Sequence, residues 1–287
     1  MNSLEISYIG AACGKNKYEP RDKIMLLLLC REYKNIYKNI FFENGSFVLI
    51  KHGEKTYDKE LKQIYSEYKK EISNPDEFNK VKEEIKVKLK SENKDLSDKD
   101  LKHASDFLDN SLKKDCGTNN EQKVIKKMKY QKGNNRMYCY SENNWTIKGF
   151  HDATDNDIVI EIKTRMRQNN IRKNEYDLYQ LFGYMLSMGK TKGKIVQKFN
   201  KSIYDSDTET DKEYGVVDIS IPKWKEKFET FKKELNEFFE EIKEYKNKTF
   251  DTGCVIKNED KPISCFDMDG LPHNINPRFE KIVNTLV

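Results

Sequence analysis

Two carboxylates and a lysine crowd the middle of the chain: Gly149-Phe150-His151-Asp152, then Asp157-Ile158-Val159-Ile160-Glu161-Ile162-Lys163. Side chains alternate between the faces of an extended strand. Ile158, Ile160 and Ile162 then point into a core, while Asp157, Val159, Glu161 and Lys163 project from the other face. The polar turn from Ala153 to Asn156 folds Asp152, at the end of the preceding strand, back beside Glu161. Two converging carboxylates supply the hard oxygen ligands that Mg²⁺ prefers. A lysine beside them can orient or deprotonate a water for attack on a phosphate. By itself an E-x-K triplet decides little, because it arises by chance in Lys-rich chains. The alternative is a strand with an apolar inner face and a charged outer one.

Two further patterns lie in order along the chain. Upstream, Gly117-Thr118-Asn119-Asn120-Glu121 reads as a capping box that starts a helix. Glu121 also shares a helical face with Val124, Ile125 and Met128, so it leans toward the core, where metal or water positioning would give it a purpose. Downstream, Gln180 and Tyr184 sit one turn apart within Tyr176-Asp177-Leu178-Tyr179-Gln180-Leu181-Phe182-Gly183-Tyr184. An amphipathic helix burying Leu178, Leu181 and Met185 accounts for that stretch equally well.

Together the ordered set G-x-x-x-E, G-x-x-D, E-x-K and Q-x-x-x-Y resembles the RecB-type branch of the PD-(D/E)XK nucleases. Within that branch the chain is most similar to the lambda-exonuclease/YqaJ group of phage and viral alkaline exonucleases. The opening Ile9-Gly10-Ala11-Ala12-Cys13-Gly14-Lys15-Asn16-Lys17-Tyr18 is similar to that group's N-terminal module. The resemblance implies a restriction-endonuclease-like α+β fold, a central mixed sheet flanked by helices. It implies that Asp152, Glu161 and the Ile162 carbonyl hold one or two Mg²⁺ or Mn²⁺ ions, with Glu121 completing the site. Lys163 would activate water and Gln180 would position the lysine or the DNA backbone. The implied partner is duplex DNA with free ends, degraded 5′ to 3′, with a single-strand annealing protein as a second partner. The implied assembly is a monomer or a ring-shaped oligomer.

The elements that must position these residues follow from periodicity. A helix is expected from Pro20 to about Phe41, then an Asn44-Gly45 turn and a hairpin within 47–57. Residues 58–114 are charged and helical, with starts at Asn74-Pro75 and Ser97, and read as a helical insertion. Strands are expected at 136–141, 145–152 and 157–164, a helix at 175–188, strands at 193–199 and 214–220, and a long amphipathic helix from 222 to about 246. That order suits a mixed sheet flanked by helices. The expected division is an N-terminal DNA-end-binding module over 1–57, the insertion over 58–114, the nuclease core over 115–248 and an irregular tail over 249–287.

Charge agrees with a polyanionic partner. The net charge is +5, but residues 121–201 alone carry 17 Lys and Arg against 8 Asp and Glu. Lys15, Lys17, Lys123, Lys127, Arg165, Arg167, Arg172 and Tyr184 are the expected DNA contacts. The lysines and arginines would track phosphates without reading sequence. The longest apolar run, Ile24 to Cys30, falls far short of the roughly 20 residues a membrane-spanning helix needs. The first residues lack a signal-peptide layout. Six scattered cysteines without a C-x-x-C pair exclude a zinc ribbon and suit a reducing interior. Richness in Lys, Asn, Tyr and Ile matches AT-rich coding DNA, as in a virus or phage. An intracellular site is therefore expected: host cytoplasm or nucleus for a viral chain, otherwise cytoplasm. Two other functions fit the same residues: a structure-specific or restriction-like endonuclease, and an inactive DNA-binding protein on the same fold.

Overall fold

An eight-residue strand, β8 (Ile158–Arg165), apolar at Ile158, Val159, Ile160 and Ile162, organises the molecule. In the computed structural model, description covers residues 2–32, 40–43, 46–49, 58–68, 75–92, 97–133, 136–143, 145–165, 174–199, 203–205 and 215–251. Over residues 159–162 strand β8 is buried on both faces. One face, with Ile160 and Ile162, packs with Val124, Ile125, Ala153 and Val196. The other, with Val159, joins the main core.

The chain is α+β with mixed sheets. After β1 (Asn2–Glu5), a turn of 3₁₀ helix at Ile6–Tyr8 and the short α1 (Ile9–Ala12), α2 runs over Arg21–Glu32. A hairpin follows, β2 (Ile40–Glu43) with β3 (Ser46–Leu49). Asn44-Gly45 thus joins the two strands of this hairpin instead of preceding it. The expected second strand near 55–57 lies outside the described residues. Helices α3 (Asp58–Tyr68), α4 (Pro75–Glu92) and α5 (Asp98–Met128) come next. They enclose a core of their own, including Leu61, Ile64, Ile85, Leu89, Ala104 and Leu108.

Helix α5 corrects the capping-box reading. It continues through Gly117 and Thr118, and the Thr118 hydroxyl donates to the Lys114 carbonyl at 3.3 Å. Thr118 is therefore a mid-helix residue bonding back one turn, not a cap. Apolar positions on both sides of Gly117, Cys116 in one cluster and Val124 and Ile125 in another, pack the helix down on either side of a poor helix former. The boundary expected at 114/115 falls inside this helix.

Strands β4 (Gln131–Lys132), β5 (Tyr138–Glu142), β6 (Trp145–Gly149) and β7 (Ala153–Asp155) lead into β8. Helix α6 (Glu175–Met188) carries the chain to β9 (Lys192–Phe199), which pairs parallel with β8. Helix α6 stops at Gly189, whose φ of 62° places it in the left-handed region; the Lys190 amide donates back to Met185. The last elements are β10 (Ile203–Asp205), β11 (Val217–Asp218) and α7 (Pro222–Asp251). Trp224, Phe228, Phe231, Leu235, Phe238 and Ile242 form the buried stripe of α7. The larger sheet runs β10-β9-β8-β7-β4 with β11 also on β9, and the smaller runs β1-β6-β5. Among the described residues no helix is long and apolar enough to cross a membrane.

The single strand expected over 145–152 is divided between these sheets. Strand β6 ends at Gly149 between β1 and β5, and β7 begins at Ala153 beside β8. A Cβ on Gly149 would stand 3.1 Å from both Ile6 and Tyr184, a tight fit that would make these neighbours give by a few tenths of an ångström. Asp152 therefore lies in the crossing between two sheets, not at a strand end.

Candidate active site

Asp152 approaches β8 where β7 has not yet begun to pair. Its Oδ2 accepts the Ile162 amide at 2.7 Å. The amide and carbonyl of one strand residue face the same neighbour. Ile160, two residues back, faces β7 through its register with Ala153. The Ile162 carbonyl therefore opens on the same edge as Asp152.

Glu161 and Lys163 point to the opposite face of the sheet from Ile160 and Ile162, as alternation requires. Glu161 is 1% exposed. Its Oε1 meets the Lys163 ammonium at 2.6 Å, while Oε2 is buried without a hydrogen-bond partner. Lys163 also donates to Gln180 Oε1 at 2.7 Å. The first two turns of α6 thus reach the same ammonium as the strand does.

The electrostatics are those of desolvated like charges. Burial first, then the Glu121 charge, push the Asp152 carboxyl up, against the Ile162 hydrogen bond and Lys163. Burial and Asp152 push Glu161 up in the same way. Burial and Glu161 raise Glu121, half-buried on α5. These mutual effects place all three expected carboxylates within electrostatic reach of each other. Lys163 is the cation among them. Burial pulls it down, but Glu161, Asp177 and Asp152 outweigh burial and hold it above the usual lysine range.

Other expected contacts are placed differently. Arg165 is only 12% exposed and is tied to Asp177 Oδ2, with Gln197 at 3.4 Å and the Tyr176 hydroxyl at 3.3 Å. It is a half-buried ion-pair member rather than an open surface cation. Tyr184 is 5% exposed, and burial followed by the Glu161 charge holds its phenol far above the usual range. It lines the acidic cluster from inside and engages Gln180. Lys15 is paired with Glu234 on α7 at 2.9 Å. Lys17, Lys123 and Lys127 are exposed. Arg167 and Arg172 lie outside the described residues.

Asp177 is the residue the motifs did not single out. It is 1% exposed in the first turn of α6, joined to Arg165 and 3.8 Å from Lys163 through Oδ1. The Asn174 amide adds a contact to Oδ2 at 3.3 Å. The available signal was an acidic residue at a helix start, which helix capping alone explains. His151 was also passed over; burial lowers its pKa, and its Nδ1 is buried without a partner beside Asp152.

Among the described residues no three His, Cys, Asp or Glu side chains stand together as a ready-made metal-binding group. The donor set nevertheless fits a hard divalent cation: one backbone carbonyl and two carboxylates, of which Glu161 has an orphaned buried oxygen. A buried carboxylate oxygen without a donor is costly. A cation there would remove that cost.

No family model and no curated protein matches the chain. Among solved structures it is similar to the crystal structure of SSO0001, at 17% identity over 67% of this chain and 87% of that one, with a TM-score of 0.33. A superposition that loose carries no argument about fold or activity.

Proposed function

We propose that the chain is a metal-dependent deoxyribonuclease of the PD-(D/E)XK type, an exonuclease acting on linear duplex DNA. The observation that carries this reading is the pairing of Asp152 and Glu161 in a desolvated site, with an orphaned Glu161 oxygen and Lys163 in contact with the other. Carboxylates repelling each other in a buried site persist when something cationic compensates them. Asp152, Glu161 and the Ile162 carbonyl would hold one or two Mg²⁺ or Mn²⁺ ions, with Glu121 alongside. A cation bound there supplies Lewis-acid stabilisation of charge on the phosphate. Lys163, fixed by Gln180 and Asp177, orients the attacking water and balances charge on the phosphate. The restriction-endonuclease-like arrangement, the 5′-to-3′ polarity and the phage or viral setting come from the motif resemblance.

The test is end-labelled linear duplex incubated with and without Mg²⁺, beside covalently closed plasmid. Metal-dependent shortening of the linear substrate with the circle intact supports an exonuclease. Nicking of the circle supports the endonuclease alternative. Binding without cleavage under Mg²⁺ or Mn²⁺ leaves a DNA-binding protein and overturns the proposal.

A further inference from the structure

Outside the acidic site, three lysines converge without a carboxylate among them. Lys123 and Lys127 are exposed and lie one turn apart on α5. Val124 and Ile125 of the same helix pack against the sheet face that carries Ile160, Ile162 and Val196. On β9, alternation puts Lys198 on that face with Val196. Gln197 sits on the opposite face, where it accepts from Arg165. Lys198 therefore rises from the sheet toward the flank of α5, its Nζ donating to the Phe199 carbonyl at 2.7 Å.

Electrostatics report the same convergence. Burial, then the Lys123 charge, hold Lys198 below the usual lysine range; Lys127 adds to this and Cys116 opposes it. Among the described residues none of the three lysines forms an ion pair, whereas Lys15, Lys23, Lys86, Lys88 and Lys232 all do. Like charges kept together unpaired repel each other, a cost that a polyanion removes.

The position of this patch relative to the acidic site is set by the sheet. Lys198 pairs in register with Thr164, the residue after Lys163. The Thr164 hydroxyl is buried without a hydrogen-bond partner and belongs to the Lys198 face by alternation. Lys123 follows Glu121 by two residues on α5. The rise between Lys123 and Lys127 is about 6 Å. That distance spans about two phosphates of one DNA strand, spaced about 3.4 Å apart along the axis.

We propose that Lys123, Lys127 and Lys198 form one track for a nucleic-acid phosphodiester backbone, on the sheet face that α5 covers over β8 and at the Glu121 side of the acidic site. The track deepens the nuclease reading and rests on it for its position beside the reacting phosphate. It also reassigns Arg165, which is consumed by Asp177, and gives Lys198 a role that no motif marked.

The experiment uses the full chain. Binding of an end-labelled duplex is followed by fluorescence anisotropy in calcium across a salt series, and cleavage is followed in magnesium at and below saturating duplex. The Lys123→Ala/Lys127→Ala/Lys198→Ala variant should flatten the log–log salt dependence by about 2 to 3, at about 0.9 per lost contact. Its cleavage should fall in step with the lost affinity once duplex is dropped below saturation, because backbone contacts position the substrate. A Lys80→Ala/Lys225→Ala control, on α4 and α7, should leave the slope unchanged. The pair Lys123→Gln/Lys127→Gln, confined to an exposed helix flank, should give about two-thirds of the flattening even where Lys198→Ala disturbs the sheet. A slope unchanged in both patch variants overturns the track. So does equal flattening in the control, or loss of binding to poly-glutamate while DNA binding persists, which would mark an acidic protein as the occupant. A wild type that cleaves while the patch variants keep its slope defeats the track alone. A wild type that cleaves nothing, with the slope still lost in the variants, defeats the nuclease reading and leaves the track standing.

Discussion

The Ile162 amide donates to Asp152 Oδ2 at 2.7 Å, and this bond joins a crossing loop to the strand that carries Glu161. It fixes one carboxylate relative to the other without using a charged partner. Burial and the Glu121 charge still push Asp152 up, so the bond offsets only part of the cost.

Asp152→Asn keeps an oxygen acceptor for Ile162 and removes the charge. Cleavage should fall by about two orders of magnitude or more, as for loss of a group that acts on the transition state. Duplex binding in calcium should change little. Wild-type digestion of linear duplex by this variant would remove Asp152 from the site.

The same substitution has a stability consequence. A carboxyl whose pKa is higher folded than unfolded binds more protons in the native state. Its penalty is absent at low pH and grows as pH rises above the ordinary carboxylate range. Both Asp152 and Glu161 are shifted in this direction. The metal-free protein should therefore lose stability as pH rises from about 5 toward 8. Asp152→Asn should melt above wild type at the upper end, and magnesium should narrow the gap. Thermal melts in chelator across this range check it, and a wild type that gains stability toward pH 8 would contradict it.

Lys163 lies between Glu161 at 2.6 Å and Gln180 at 2.7 Å, and its ammonium is favoured over its free amine. Lys163→Ala should cost about 10² to 10⁴ in single-turnover rate. Because the charged form is the native one, the deficit should be the same at pH 7 and pH 9. Recovery of the alanine variant at high pH would instead assign Lys163 as a base.

Much of this site was legible because alternation is a local rule. Isoleucines at every second position of β8 determine where Glu161 and Lys163 point, whatever the rest of the chain does. The spacing from Gln180 to Tyr184 likewise required only a helix. What could not be read was tertiary. The residues from Trp145 to Asp152 look like one strand, and only the packing of Gly149 against Ile6 and Tyr184 shows why the chain changes sheets there. Arg165 looks like a surface cation because its partner, Asp177, is twelve residues away and is set by how α6 docks on β8. Tyr184 looked available for DNA for a similar reason.

Asp177 compensates Arg165 in a nearly dry setting, so it is costly to remove. Asp177→Asn leaves the Arg165 charge unpaired, and breaking a buried pair in this way costs about 3 to 5 kcal/mol. Lys163 loses a second anchor at the same time. Chemical denaturation should show the stability loss, and Arg165→Met in the Asp177→Asn background should recover part of it. Additive destabilisation in the double variant would mean that the two side chains do not depend on each other.

Gly117 offers the sharpest test of helix α5. A capping-box reading places Gly117 outside the helix that begins after it, where glycine is harmless and alanine brings no gain. The structure places it inside a 31-residue helix, with nothing within 4 Å of the position a Cβ would occupy. Glycine in a helix interior is less favourable than alanine by about 1 kcal/mol, because it loses more backbone freedom on folding. Gly117→Ala should therefore raise the unfolding free energy by about 0.5 to 1 kcal/mol. It should leave metal-dependent cleavage unchanged, since it adds one methyl to open space a turn away from Glu121. Urea denaturation followed by circular dichroism measures the first effect, and digestion of end-labelled duplex measures the second. A destabilised Gly117→Ala would mean that the helix breaks at Gly117, and that Glu121 is aimed at the site by a helix start rather than by a continuous rod.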